Sequence, residues 1–303
     1  MSSLTSTNID NLVDYVPDPD PNFIKVLRLQ GKKSADDLAD KLEAKLLAKS
    51  SSNTVVSGQA RAATEEWLGK FVTNDPLMLE QKRIIRKILS NKTKEGIEAP
   101  ILITGPTGTG KELLAKAIHG GSPGLFVDIN CAGLPEHLVE SELFGHVRGA
   151  YTDAREAKAG LIRKAEKGVL FLDEIGELDL KLQAKFLRVL QERTVRKVGG
   201  EVNECISCRF VAATKHRLED LVETKQFRDD LFWRLNMFRI ETTGLDKRPN
   251  DVPLIIKSLL PKGTVEIPTE LLAAIKPSHY EQGNVRSLQA IVQRYYILGV
   301  LPN

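Results

Sequence analysis

Cysteine is scarce in this chain, with only Cys131, Cys205 and Cys208 among 303 residues. That is too few to staple a small secreted fold, and it fits a protein kept in a reducing compartment. Cys205 and Cys208 form a lone CISC. No second pair and no histidine at ligand spacing accompany it, so a metal site is not expected there. Long apolar runs are missing too, and none approaches the ~18 residues of a membrane span. The opening MSSLTSTNIDN carries neither the basic nor the apolar segment of a secretory leader. A cytoplasmic protein with no membrane attachment is expected. A dominant charge sign is also lacking. With 43 Lys and Arg against 40 Asp and Glu, the net charge is +3, which permits contact with nucleic acid without arguing for it.

What is present falls into three stretches. Residues 1–70 open Ser/Thr-rich and pass through the turn-prone VPDPDPN. Ser34 is placed to cap a helix from Ala35 to about Lys49, with Asp37 at the reciprocal capping position. Leu38, Leu42 and Leu46 put an apolar stripe on it. SSSNT at 50–54 ends that helix, and a second helical stretch follows around Trp67. This short helical region reads as packing on the main body, with a regulatory or partner-docking arm as the alternative.

Residues 71–247 alternate short apolar runs with amphipathic helical segments. The runs are APILIT (99–104), LFVDIN (125–130), GVLFLDE (168–174) and CRFVAAT (208–214). Their hydrophobicity is continuous rather than alternating, which predicts strands buried on both faces of a parallel sheet covered by helices. KLQAKFLRVLQER (181–193) places Leu182, Phe186, Leu187 and Leu190 on one helical face. The fold class is α/β, a three-layer domain. In residues 248–303, Pro249, Pro253, Pro261 and Pro268 punctuate helical stretches at 269–276 and 285–298, and a small all-α domain is expected.

The strand ILIT runs straight into GPTGTGKE, residues 105–112, and then into the helical ELLAKAIH. Gly105, Gly108 and Gly110 let the backbone turn tightly and aim amides at phosphate oxygens. Pro106, Thr107 and Thr109 complete the loop, Lys111 adds a point charge, and the helix N-terminus adds its dipole. Glu112 stands where a magnesium-binding Ser or Thr is usual. The metal must therefore be held elsewhere, and FLDE at 171–174 ends an apolar strand in Asp173 and Glu174. One acid there can hold magnesium while its neighbour activates water.

Taken together, GPTGTGKE, NCAGLPEHLVESELFGH (130–146), GVLFLDEIGEL (168–178), QAKFLRVLQE (183–192), FRDDLFWRLN (227–236) and GNVRSLQ (283–289) resemble the central AAA+ ATPase domain of the bacterial sigma-54-dependent transcription activators. The resemblance runs from about Phe71 to the end of the chain, and a glutamate after the loop lysine is usual in that family. It implies an ATP-hydrolysing P-loop domain followed by a helical lid. Lys111 would bind the β and γ phosphates of ATP, Asp173 would support Mg2+, and Glu174 would be the water-activating base. Asn130 would hold Glu174 switched off. Arg228 and Arg234 match arginine fingers that reach a neighbouring subunit's nucleotide, which implies a homo-hexameric ring. Arg286 matches the lid arginine that senses the γ-phosphate.

The family's client loop reads GAFTGA and grips sigma-54. Here it is GAYTDA, comprising Gly149, Ala150, Tyr151, Thr152, Asp153 and Ala154. Tyr151 keeps an aromatic and Thr152 is retained, but Asp153 replaces a glycine, which takes positive φ far more freely. Six such carboxylates around one axis would repel one another. Lys215 stands where the family has a nucleotide-sensing asparagine, and Glu281-Gln282 replaces a Trp-Pro before GNVR. No helix-turn-helix reader of DNA follows the lid in this sequence, so sequence-specific DNA binding is not expected of it. The resemblance implies a ring motor that remodels sigma-54 RNA polymerase in transcription regulation. The alternatives are a motor with a different protein or DNA-processing client, or a nucleotide-gated binding module.

Overall fold

The computed structural model describes residues 38–42, 59–90, 99–120, 122–133, 135–151, 154–264 and 266–302. The chain divides into two units, Met1–Ala62 and Ala63–Asn303. Of the helix expected over 35–49, residues 38–42 are helical with Leu42 buried, while Leu46 lies outside the described residues.

Within the second unit, nine strands appear among the described residues. They are β1 (Ile101–Thr104), β2 (Phe126–Asn130), β3 (Gly145–His146), β4 (Lys158–Ala159), β5 (Val169–Asp173), β6 (Thr194–Arg196), β7 (Asn203–Cys205), β8 (Arg209–Thr214) and β9 (Phe238–Glu241). Five of them form one parallel sheet in the order β2-β5-β8-β1-β9. The other four pair as two antiparallel ribbons, β3 with β4 and β6 with β7.

Side chains alternate across this sheet with the period of two that a strand imposes. Leu102, Leu170, Leu172, Phe210 and Ala212 enter one apolar cluster, packed by Leu182, Phe186, Leu187 and Leu190 of the helix Leu180–Glu192. Ile101, Ile103, Val169, Phe171, Val211 and Ala213 enter the opposite cluster, with Leu114 and Ile118 from the helix Lys111–His119 and Met78 and Ile85 from Pro76–Ser90. Both faces are covered, so the continuous apolar runs are strands of a three-layer α/β sheet. Leu68 joins the second cluster and Trp67 packs against it.

Among the elements that the sequence reading does not name are β9 and the helix Asp251–Leu259. β9 is an edge strand in which Phe238 and Ile240 flank Arg239, and only Ile240 is buried. It lacks the continuous hydrophobicity of the inner strands. The helix Asp251–Leu259 contains Pro253. The ring sits in the first turn, where a backbone donor has no intrahelical partner to lose.

A third apolar cluster gathers Leu245, Val252, Ile255, Ile256, Leu271, Tyr280, Leu288 and Val292 from the C-terminal helices. These helices meet the rest through a buried polar knot. Asp251 accepts from Thr73 Oγ1 at 2.6 Å and from the Asn74 amide at 2.7 Å, and it lies 3.4 Å from Arg248 Nη1. Arg248 also donates to the Thr109 carbonyl at 3.4 Å and lies over the Phe71 ring. Both charged side chains are almost fully buried, and burial holds the Arg248 guanidinium below its ordinary pKa. Removing one partner strands the other charge without water. Asp251→Ala is therefore expected to cost about 3–5 kcal/mol in urea unfolding, while exposed Asp220→Ala changes stability by less than about 0.5 kcal/mol.

Candidate functional site

The glycines of the loop after β1 are conformationally required. Gly105, Gly108 and Gly110 all have positive φ, at 146°, 73° and 101°. A Cβ on Gly108 would sit 2.1 Å from the Gly283 carbonyl oxygen, so no larger residue fits. Thr109 hooks the loop by donating to the Pro106 carbonyl and by a 2.7 Å hydroxyl contact with Thr242. Lys111 opens the helix Lys111–His119, and its ammonium donates to the Gly105 and Pro106 carbonyls at 2.8 and 3.1 Å. Burial pushes the Lys111 pKa down, against the opposing pull of Glu174 and Asp173. Glu112 points outward and pairs with Lys116 one turn on.

The charges that act most on the Lys111 ammonium are those of Glu174, Asp173, Lys215 and Arg286. The sheet brings the first three together because β8 lies between β5 and β1 and the three parallel strands end on the same edge. Gly105 donates its amide to the Thr214 carbonyl at the end of β8. Asp173 closes β5, half-buried, and burial together with neighbouring Glu174 raises its pKa. Glu174 takes a left-handed backbone, φ 52°, uncommon for a residue with a side chain. Its carboxylate accepts from the Lys215 amide at 3.2 Å.

Asn130 ends β2 in register with Asp173. Its side-chain oxygen accepts from the Ala132 amide at 2.8 Å, whereas the Glu174 carboxylate bonds to the Lys215 amide on the other side. The Lys215 side chain lies 3.7 Å from Glu177, which also takes a 2.9 Å hydrogen bond from His216. That bond holds the Glu177 carboxyl below its usual range. Glu177 was not singled out in the sequence, where it is one of several acids after FLDE.

The lid reaches the same loop through Asn284, a residue that the sequence reading passed over in favour of Arg286. Asn284 is buried at φ 49° and opens the helix Asn284–Leu298. Its amide nitrogen donates to the Thr107 carbonyl at 2.9 Å, and its oxygen accepts from the Leu245 amide at 2.7 Å. The next amide, of Val285, donates to the Gly108 carbonyl at 3.0 Å. The Gly-Asn pair at a helix start was the available signal, since asparagine tolerates left-handed backbone.

Arg228 and Arg234 lie elsewhere. Arg228 caps the helix Asp229–Leu235 and grips Asp230 with two bonds of 3.0 and 2.8 Å. Arg234 sits exposed in the last turn beside exposed Trp233.

Residues 149–151 and 154 lie in the connection between β3 and β4. Gly149 donates its amide to the Ala154 carbonyl at 2.8 Å, and Ala150 packs against Gly199 of the loop between β6 and β7. His146 Nε2 lies 2.9 Å from the Glu156 carbonyl, which can only accept, so Nδ1 is the acceptor for the Ser141 hydroxyl at 2.8 Å. The Tyr151 ring packs edge-on against His146, with its hydroxyl 3.4 Å from Nδ1. Thr152 and Asp153 lie outside the described residues.

A family model described as the Sigma-54 interaction domain matches residues 71–241, more than half of the chain. The chain belongs to this family. Its members include sigma-54-dependent transcription activators with an AAA+ core. The regulatory protein AtoC of Escherichia coli (strain K12) is 38% identical over 253 residues, covering 80% of this chain and 53% of AtoC. The anaerobic nitric oxide reductase transcription regulator NorR of Aeromonas salmonicida (strain A449) is 41% identical over 283 residues, 90% of this chain and 53% of NorR. The chain thus spans about half the length of these relatives. The crystal structure of NtrX from Brucella abortus matches with a TM-score of 0.65 and 30% identity over 87% of this chain and 58% of NtrX. NtrX has also been solved in complex with ADP and with ATP. Among the described residues, no helix is long and apolar enough to cross a membrane.

The raised Asp173 pKa has a consequence for this Sigma-54 interaction domain. A carboxyl whose pKa rises on folding adds stability while protonated and loses that contribution as pH climbs through the folded value. Ionised Asp173 therefore opposes folding at neutral pH. Asp173→Asn keeps an oxygen for the Glu174 amide and removes the charge. Without nucleotide it is expected to melt above the parent protein at neutral pH, with the gap closing as pH falls to roughly 4, within the carboxylate range. Thermal midpoints measured across that pH range check this.

Proposed function

We propose that this chain is an ATP-hydrolysing motor domain that works as a homo-hexameric ring and remodels sigma-54 RNA polymerase in transcription regulation. The observation that carries the reading is the convergence on Lys111 of Asp173, Glu174, Lys215 and Arg286, next to a loop whose glycines leave room only for backbone. Membership of the family and the ATP complex of NtrX support nucleotide as the ligand.

The donor set fits a phosphate chain with its metal. The protons that Lys111 gives to the Gly105 and Pro106 carbonyls are available to phosphate oxygens, and the amides of residues 107–111 lead into a helix N-terminus. Pro106, Thr107, Thr109 and Glu112 shape that loop and its first helical turn. Asp173 would hold Mg2+, since a cation relieves the repulsion and burial that raise its pKa. The metal, when bound, would neutralise charge that develops on the phosphoryl group.

Glu174 takes the proton of the attacking water, from a backbone position set by β5 and the Lys215 amide. Asn130, one register step from Glu174, is the switch residue of this reading. Its oxygen accepts from the Ala132 amide and the Glu174 carboxylate from the Lys215 amide, so a holding contact would require one of these bonds to break. Arg286 reads the γ-phosphate from the lid. Arg228 and Arg234 act on the neighbouring copy's nucleotide, a role supported by the exposure of Arg234 and of Trp233 beside it. Fixed guanidinium groups are the appropriate partners for a phosphoryl transition state.

The mechanical output leaves through Gly149, Ala150, Tyr151, Thr152, Asp153 and Ala154. Of these, Gly149, Ala150, Tyr151 and Ala154 lie in the connection between the two strands of the ribbon that follows the helix Glu136–Phe144.

Hydrolysis per subunit should rise with protein concentration, as subunits supply fingers to one another. In Glu174→Gln it should fall by about 10²–10⁴-fold while ATP still binds. Phosphate release and nucleotide-binding titrations measure the two. For the client, the protein is trapped with a transition-state ATP analogue and passed over a sizing column with purified sigma-54. Co-elution is the expected result. Co-elution with Asp153→Gly alone would instead assign the native loop to a different client.

A further inference from the structure

Gln183 is the one polar residue on the buried face of the helix Leu180–Glu192, where Leu182, Phe186, Leu187 and Leu190 surround it. Its side chain is fully buried. An amide in that position is costly unless its bonds are satisfied, and an apolar residue would pack there without that demand. Nε2 of Gln183 donates to the Leu178 carbonyl at 2.7 Å and to the Gln226 carbonyl at 3.1 Å. Oε1 accepts from the Arg228 amide at 2.8 Å. Both of its N–H groups are used.

The partners belong to two separate parts of the site. Leu178 ends the short turn that starts at Glu174, closed by the Glu177 amide on the Glu174 carbonyl and the Leu178 amide on the Ile175 carbonyl. Gln226 and Arg228 bracket buried Phe227 and lead into the helix Asp229–Leu235, which carries Arg234. One side chain therefore ties the turn after Glu174 to the backbone from which both arginines project.

We propose that Gln183 is a positioning residue for Arg228 and Arg234, setting the register of the arginine-bearing segment against the Glu174 turn of its own subunit. The proposal rests on the reading of those arginines as fingers acting on a neighbouring copy. It predicts a defect that is felt in the neighbour's active site, not in the subunit carrying the substitution.

Subunit mixing tests this. Glu174→Gln subunits lack their own base but present intact arginines, while Arg228→Ala subunits keep the base. Mixed together, they should hydrolyse ATP faster than either alone. If this control pair fails to complement, the trans arrangement is wrong and the proposal falls with it.

Gln183→Met is expected to lower hydrolysis by about 10–100-fold, as a displacement of roughly 1 Å at a catalytic group does, with ATP affinity unchanged. Mixed with Glu174→Gln it should recover, and mixed with Arg228→Ala it should not. The opposite pattern, or full activity in Gln183→Met alone, overturns the proposal. Hydrogen exchange supplies a readout independent of turnover. Peptides over 226–235 should lose protection in Gln183→Met while those over 105–119 keep it. Loss of protection across the whole chain, with no complementation by either partner, would make Gln183 a mere support of the fold and overturn the proposal as well.

Discussion

Burial of a parallel sheet on both faces leaves only the strand ends to meet a ligand. Everything chemical in this chain follows from that constraint. With Phe210 and Leu172 filling one side and Phe171 and Val211 the other, no residue within the inner strands can face solvent. Gly105, Asn130, Asp173, Lys215 and Thr242 each lie at or just past the C-terminal end of a strand. Ligands in open α/β sheets sit at that edge. The left-handed turn at Glu174 arises at the same place, where the chain leaves a buried strand and must turn at once into the short helix Ile175–Glu177.

The sheet and its phosphate loop were legible because they rest on local chemistry. Continuous apolar runs need cover on both faces, and closely spaced glycines before a lysine need backbone freedom. Positive φ at Gly105, Gly108 and Gly110 is the physical content of that spacing. The residues that join distant segments were not legible in the same way. Asn284 bonds to a carbonyl 177 residues away, and Gln183 to one 43 residues away. Nothing near them in sequence names those partners. Gln183 left a trace, as a polar side chain on an otherwise apolar helical face. β9 left less, since an edge strand need not be continuously apolar.

The GAYTDA segment shows a different limit. Its glycine and alanines mark it as irregular backbone, and its aromatic suggests a contact tip. Folding adds something that pattern does not carry. Tyr151 remains 42% exposed, yet one edge rests on His146, and its hydroxyl reaches the atom that Ser141 also approaches. A phenylalanine at this position would keep the ring contact and lose the polar one. The tyrosine is thus tied to the helix that precedes the ribbon, through a histidine whose tautomer is set by the Glu156 carbonyl.

The clasp between the lid and the phosphate loop has a mechanical meaning. Asn284 and Val285 hold the carbonyls of Thr107 and Gly108, and the Gly283 carbonyl fills the space that a Gly108 side chain would occupy. The helix Asn284–Leu298 is 15 residues long, or about 22 Å at 1.5 Å per residue. It is a rigid lever bolted at its short end to the backbone of the loop. A displacement of that helix is passed directly to the Thr107 and Gly108 carbonyls, and a shift of the loop is passed back through Leu288 and Val292 to the C-terminal cluster.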